Sequence, residues 1–273
     1  MIKLEQGTED AMANVTGGAL FGSTAEINDY SPLLRFLLLN CLAAFGLLAL
    51  WHFGLLQLVL ETDHTRVSLL IFAIFCLTGL HCLFQTIDIS AELVKARKMR
   101  DIIVADSGSG LQLVNGQVVT GRGHTLEPSI FSAHVANLIR KSQLQKERHV
   151  DQTLLLRALA DKLRNREKLG LFVSEALLRL ALLGTAIGFI LMLIPISGLT
   201  SFETDTLRTA LGGMTGGMAV ALNVTVAGIA SALLLKLEYY LLDNSIAELF
   251  EMITETTEIH VVSALEKSPD ARN

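Results

Sequence analysis

Three polar side chains lie where the surrounding sequence is apolar: Thr185, Asn223 and Thr225. They sit in two uncharged runs, Leu180–Thr200 and Thr209–Leu235, joined by a short polar loop that carries Glu203, Asp205 and Arg208. Each run is long enough to cross the roughly 30 Å hydrocarbon core of a bilayer as a helix. A cation leaving water for such an interior needs polar atoms to replace its hydration. Two threonines near mid-depth on adjacent helices could solvate a permeating cation or a file of water, whereas a lone threonine often just bonds its own helix backbone. Thr225 and Ala221 are four apart and share a face, which Gly228 continues. Asn223 lies about 200° round the helix from Thr225. Both cannot point into one narrow pore.

The same two runs hold Gly184, Gly188, Gly212, Gly213, Gly216, Gly217 and Gly228. In lipid, small residues let helix backbones approach, so these read as packing positions. The chain is 51% hydrophobic and only 18% charged, and its apolar residues gather in long uncharged runs, the mark of an integral membrane protein. Two more spans precede the pair: about Leu33–Leu60, opened by Pro32 and carrying His52, and about Val67–Ile87, carrying His81. Both histidines are expected to bond to neighbours. Cys41, Cys76 and Cys82 all lie in apolar runs and read as small hydrophobes, not as a disulfide framework or metal site. The stretch Asp106–Gly110 is glycine-rich but lacks the Gly-Lys-Ser/Thr ending of a phosphate loop. With no nucleophile–base pair and no metal set, the chain does not read as an enzyme, and no cofactor or metal is expected.

The expected architecture is all-α, with four transmembrane helices and long cytoplasmic helical extensions. Residues 1–31 form an acidic tail that does not read as a cleavable signal peptide. Residues 32–87 hold the first two spans, 88–169 a mostly helical cytoplasmic region, 170–238 the third and fourth spans, and 239–273 a C-terminal helix and tail. Within 88–169, Ala91–Arg100 is helical by pattern, and Asn115-Gly116 between β-prone residues signals a small hairpin. A helix is expected over Ser129–Gln145. From about Val150 an amphipathic pattern runs unbroken into the third span and predicts one long helix. The fourth helix is predicted to continue along the stripe Tyr239, Leu242, Ile246, Leu249, Phe250 and Ile253. Lys and Arg concentrate in 88–169, while the two short loops hold only Arg66 and Arg208, so the middle segment and both termini are expected inside. Two charge groups could do more than fix topology. Glu175 and Arg179, at helical i,i+4 spacing, could be a boundary ion pair or a gate. Lys95, Arg97, Lys98 and Arg100 could touch anionic lipid or a driven cytoplasmic component.

The pairing of Leu183-Gly184-Thr185 and Gly188 in one span with Ala221-Leu222, Thr225 and Gly228-Ile229 in the next resembles the MotA/TolQ/ExbB proton channel family. The resemblance covers about residues 150–260. It implies a ring-forming stator subunit of an ion-driven motor in the bacterial inner membrane, a homopentamer around a single-span MotB/ExbD/TolR-like partner that carries a membrane aspartate. Thr185 and Thr225 would line the inner wall and face that aspartate, with Gly184, Gly188, Gly217, Ala221, Asn223 and Gly228 packing helices around the path. ExbB-like members carry a glutamate where this chain has Val220, so the protonated group would come from the partner. Two spans precede the cytoplasmic segment, as in MotA-like stators. The rival reading is a membrane scaffold or small-solute transporter whose threonines and glycines only pack helices. Transporters usually show internal repeats and mid-membrane helix breaks, and the sequence shows neither. No nucleic-acid partner is implied.

Overall fold

In hydrocarbon each backbone N–H and C=O must be satisfied internally, so the uncharged runs fold as helices. The computed structural model describes residues 31–54, 57, 66–106, 110–114, 116–144, 151–197 and 204–267. In chain order, α1 covers Ser31–His52, α2 Val67–Ala105, β1 Leu111–Val114 and β2 Gln117–Thr120. Then come α3 (Ile130–Leu144), α4 (Thr153–Arg164), α5 (Lys168–Ser197) and α6 (Thr204–Thr256), followed by a π-helical segment Thr257–Val262 and α7 (Ser263–Lys267). Four helices, α1, α2, α5 and α6, are long and apolar enough to cross a membrane. The protein is thus an all-α membrane protein with one small antiparallel hairpin. The expected N-terminal tail up to 30, residues 55–56 and 58–65, the glycine-rich 107–109, Asn115, residues 145–150 with the expected bounds Gln145 and Val150, residues 198–203 with Gly198 and Glu203, and residues 268–273 lie outside the described residues.

Three boundaries differ from the expectations. The first spanning helix ends at His52, short of Leu60: Gly54 takes φ +72° and donates to Trp51 O at 3.0 Å, a left-handed stop. The second span and the Ala91–Arg100 helix are one element, because no glycine or proline follows Gly79 before Ala105. At 1.5 Å per residue that helix is about 58 Å long, roughly twice the hydrocarbon thickness. The helix predicted to run from Val150 into the third span is instead broken at residues 165–167. There Arg166 N–H donates to Leu163 O and Glu167 N–H to Arg164 O, the i→i+3 bonds of a tightened last turn. Asn165-Arg166-Glu167-Lys168 offers no apolar residue to continue the stripe, so nothing on that face holds the helix straight. Pro195 lies inside the last turn of α5 and faces Gly213, where an added Cβ would stand 2.7 Å from Pro195 Cγ.

Two compact units divide the chain. The first comprises Met1–Arg35, Ile87–Ala160 and Ala247–Asn273. In it the predicted hairpin pairs Leu111 with Thr120 and Val114 with Gln117, and Gly116 supplies the φ of +82° that the turn needs. Leu93, Met99, Ile103, Val118, Phe131 and Val135 are buried in this unit. Asp106, buried at the end of α2, meets Arg122 at 3.2 Å and His124 at 3.3 Å. A hydrogen bond from Thr120 leads the causes that hold its carboxyl below the usual range, with His124 and Arg122 adding to it. The α3 N-terminus is closed by a reciprocal cap, Ser132 N–H to Ser129 Oγ at 3.0 Å and Ser129 N–H to Ser132 Oγ at 2.9 Å. Glu92 of α2 accepts the Ile130 N–H at 2.7 Å.

The second unit comprises Phe36–Thr86 and Asp161–Ile246. It holds the membrane-spanning parts of α1 and α2, all of α5 and most of α6. Its buried side chains include Phe36, Ile71, Leu177, Val224, Leu235 and Tyr239. His81 bonds Tyr239 across helices, Nδ1 to Oη at 2.9 Å, which meets the expectation of a satisfied intramembrane histidine. His52, at the end of α1, stacks edge-on against Phe53. The fourth helix continues beyond the span as predicted, with Tyr239, Leu242, Ile246, Leu249 and Ile253 all buried.

Candidate functional site

The site is built on the seam between α5 and α6. A Cβ added at Gly184 would strike Val224, and one at Gly228 would strike Ala181. At Gly188 it would stand 2.7 Å from the backbone of Ala221, and at Gly217 2.5 Å from the backbone nitrogen of Met192. Gly170 meets the Tyr239 ring in the same way. Each step forward along α5 is matched by an equal step back along α6, so the pair is antiparallel, and its backbones come close at Gly188, Gly217 and Gly228. Gly184, Gly188, Gly217, Ala221 and Gly228 all lie along this seam. Gly212 and Gly216 do not belong to the seam, since nothing stands within 4 Å of an added Cβ at either.

This register places the threonines. Thr185 follows Gly184 and Thr225 follows Val224, each about 100° round its helix from a seam residue. The helices are antiparallel and of one hand, so a step onward in number moves to the same side of the seam on both. Thr185 and Thr225 therefore flank one edge of the seam, within about 3 Å of the same depth. Each hydroxyl donates to its own helix, Thr185 to Leu182 O at 2.6 Å and Thr225 to Ala221 O at 2.9 Å. The protons are engaged in the way a lone span threonine engages them, and the oxygen lone pairs remain as acceptors. Asn223 lies on the other side of α6, apart from both. Around the threonine edge Leu182, Leu222, Val226 and Ile229 are exposed, so this apolar flank is open in the single chain.

Five helical turns, or about 18 residues, separate Thr185 from Glu167 and Thr225 from Asp243. Glu167 is the N-cap of α5, accepting the Leu171 N–H at 3.2 Å. It therefore falls near the same edge, and its carboxyl hydrogen-bonds that of Asp243. Burial first, then the Asp243 hydrogen bond and charge, push the Glu167 carboxyl up to about 7, against the pull of Arg164 and Lys168. Sequence reading missed this pair; the 18-residue spacing from each threonine was the signal that could have found it. A carboxyl whose folded value is raised gives stability that is complete below its unfolded value near 4.5 and lost as pH rises through about 7. Thermal unfolding of the purified chain should therefore give a lower midpoint at pH 8 than at pH 5.5, with a smaller difference in Glu167→Gln.

Glu175 and Arg179 form the expected i,i+4 pair on α5, at 3.5 Å, with both side chains largely exposed. A surface pair of this kind contributes at most about 1 kcal/mol. Exchanging the two charges together should preserve ion-dependent activity, while each single reversal should lower it in the same assay. In the first unit, Lys95 reaches Glu92 at 3.4 Å, Arg97 reaches Glu248 at 2.8 Å and Arg100 reaches Asp101 at 3.2 Å, and Lys98 is exposed. Among the described residues there is no cluster of His, Cys, Asp and Glu that could hold a metal ion.

Residues 124–255 match the model of the MotA/TolQ/ExbB proton channel family. The match takes in α3 to α6 with both seam helices, and begins upstream of the stretch that the resemblance covered. No curated protein and no solved structure matches the chain.

Proposed function

We propose, from the match of residues 124–255 to the model of the MotA/TolQ/ExbB proton channel family, that the chain is the ring-forming channel subunit of an ion-driven motor. The observation that supports the reading is the glycine-tight register of α5 on α6, from which helix geometry puts Thr185 and Thr225 at one depth on one open edge. A hydroxyl oxygen with free lone pairs in an apolar wall can accept a hydrogen bond from a protonated carboxyl or from a water that carries a proton. The wall offers no charge at that depth. The titrating group comes from a single-span partner of the MotB/ExbD/TolR kind, whose membrane aspartate faces the threonines. Five subunits close a ring around that partner, and Glu167 with Asp243 marks the cytoplasmic end of the same edge. The Lys/Arg distribution supports an inner-membrane orientation with the 88–169 segment and both termini inside. Ion flow through the edge moves the ring against the partner and so does mechanical work.

The scaffold reading draws on one observation: both hydroxyls bond their own backbones. The two readings part on Thr185→Ser and Thr225→Ser. Serine keeps an oxygen on the edge and should keep ion-dependent activity, whereas valine should lose it. If serine and valine behave alike, the hydroxyls only pack the helices. The basic group gives a further test. Neutralising Lys95, Arg97, Lys98 and Arg100 together should leave insertion and ion flux normal and abolish the driven output if this face contacts a cytoplasmic component. Normal output would assign the four residues to lipid and topology.

A further inference from the structure

Glu238 is an anomaly of the second unit. It is only 3% exposed, and its Oε2 has no hydrogen-bond partner. The carboxyl lies over Gly79 of α2, where an added Cβ would stand 3.3 Å from Oε2 and 3.8 Å from Oε1. The Asn40 amide of α1 stands nearby and donates to Phe36 O at 3.2 Å. The titratable groups facing it are Cys76 and Cys82 of α2 and Tyr239 of its own helix. The Tyr239 hydroxyl is taken up by His81. Among the described residues no lysine or arginine pairs with it.

An ionised carboxylate shut away from water, with a bare oxygen and no counter-charge, is strongly disfavoured, and a single proton on the carboxyl removes the charge. Sodium would need several oxygen ligands, and the surroundings offer mainly thiols, a glycine and one amide. We propose that Glu238 is a proton-binding site that this chain itself supplies, formed where α6 packs on Gly79 of α2. It is separate from the threonine edge: thirteen residues from Thr225 place it about 140° round α6. Losing the proton requires water to reach the carboxyl, so α2 must move away from α6 for the site to empty. The site therefore links proton occupancy to helix packing. Its part in transport rests on the channel reading above; its binding of a proton does not.

The test uses the full-length chain in lipid, treated with dicyclohexylcarbodiimide, which adds to protonated carboxyls in apolar surroundings. Peptide mass spectrometry should find Glu238 labelled roughly tenfold more than the exposed Glu251 and Glu255 at pH 6, with the label falling as pH rises. Label on Glu238 no greater than on those two glutamates would overturn the proposal. Glu238→Gln keeps the shape and removes the proton exchange. It should leave the protein assembled and cut ion flux about tenfold, whereas wild-type flux would make Glu238 a packing group and overturn its role in transport. The labelling is read without flux, so a channel reading that failed at Thr185 and Thr225 would leave the labelling result standing, and the two failures stay distinguishable.

Discussion

Replacing Gly188 with valine is expected to part α5 from α6 and abolish the assembled protein. The physical reason is local. Even a single Cβ at this position would stand 2.6 Å from Ala221 Cβ and 2.7 Å from its Cα and nitrogen. Backbone cannot swing aside as a flexible side chain can, so the helices must separate along the seam. Overpacking in a well-filled core costs about 1–3 kcal/mol per site, and backbone contact takes this position to the upper end or beyond. In lipid no hydrophobic force compensates, since helix pairing there depends on close van der Waals packing. Gly217→Val should behave alike, because its Cβ would meet Met192 backbone. Gly212→Ala and Gly216→Ala are the controls. Nothing stands within 4 Å of either, and each should raise helix stability by roughly 0.5–1 kcal/mol. Thermal unfolding and size analysis in mild detergent read all four. A stable, assembled Gly188→Val protein would mean that the seam is not where the structure puts it.

Thr185→Val with Thr225→Val should leave the protein assembled and nearly abolish its ion-dependent activity. Valine keeps the shape of threonine and removes the one polar atom. A hydrogen bond to a charged or proton-bearing group contributes about 1.5–3 kcal/mol. Losing one in the rate-limiting passage therefore slows flux roughly ten- to a hundredfold, at about 1.4 kcal/mol per decade. Each hydroxyl bonds only its own helix backbone, so little stability is lost with it. Asn223→Ala gives the contrast. Asn223 lies on the other side of α6, and its loss should lower the thermal midpoint while leaving flux in place. Flux per assembled complex and the thermal midpoint, compared between these two variants, check both statements.

Much of this was legible in the sequence. The four spans follow from uncharged length, and the hairpin from Asn115-Gly116 between β-prone residues. The helical repeat shows that Asn223 and Thr225 cannot face one way; the preference for Thr225 came from the motif that resembles the family. Other features were not legible, each for a physical reason. The break at 165–167 carries no proline or glycine, and only the lapse of apolar residues betrays it. The glycines read alike in sequence, yet Gly188 and Gly217 touch backbone while Gly212 and Gly216 face open space. That distinction depends on the register of the partner helix, which single-helix periodicity does not contain. Glu238 follows Lys236 and reads as an ordinary charge at a membrane boundary. Its burial comes from Gly79, 159 positions earlier in the chain, and only tertiary packing brings the two together.

The central claim, that this chain conducts protons as the ring of a motor, is tested most directly in sealed vesicles. The chain, purified with a single-span protein of the kind proposed as its partner, would be reconstituted in vesicles with a pH-sensitive dye inside, and a membrane potential applied. The account predicts that the dye reports proton entry in vesicles with both proteins, far faster than in vesicles of lipid alone, and that entry collapses when Thr185 and Thr225 are both valine. Vesicles holding both wild-type proteins that stay as tight as bare lipid would contradict it, as would undiminished entry through the double-valine ring.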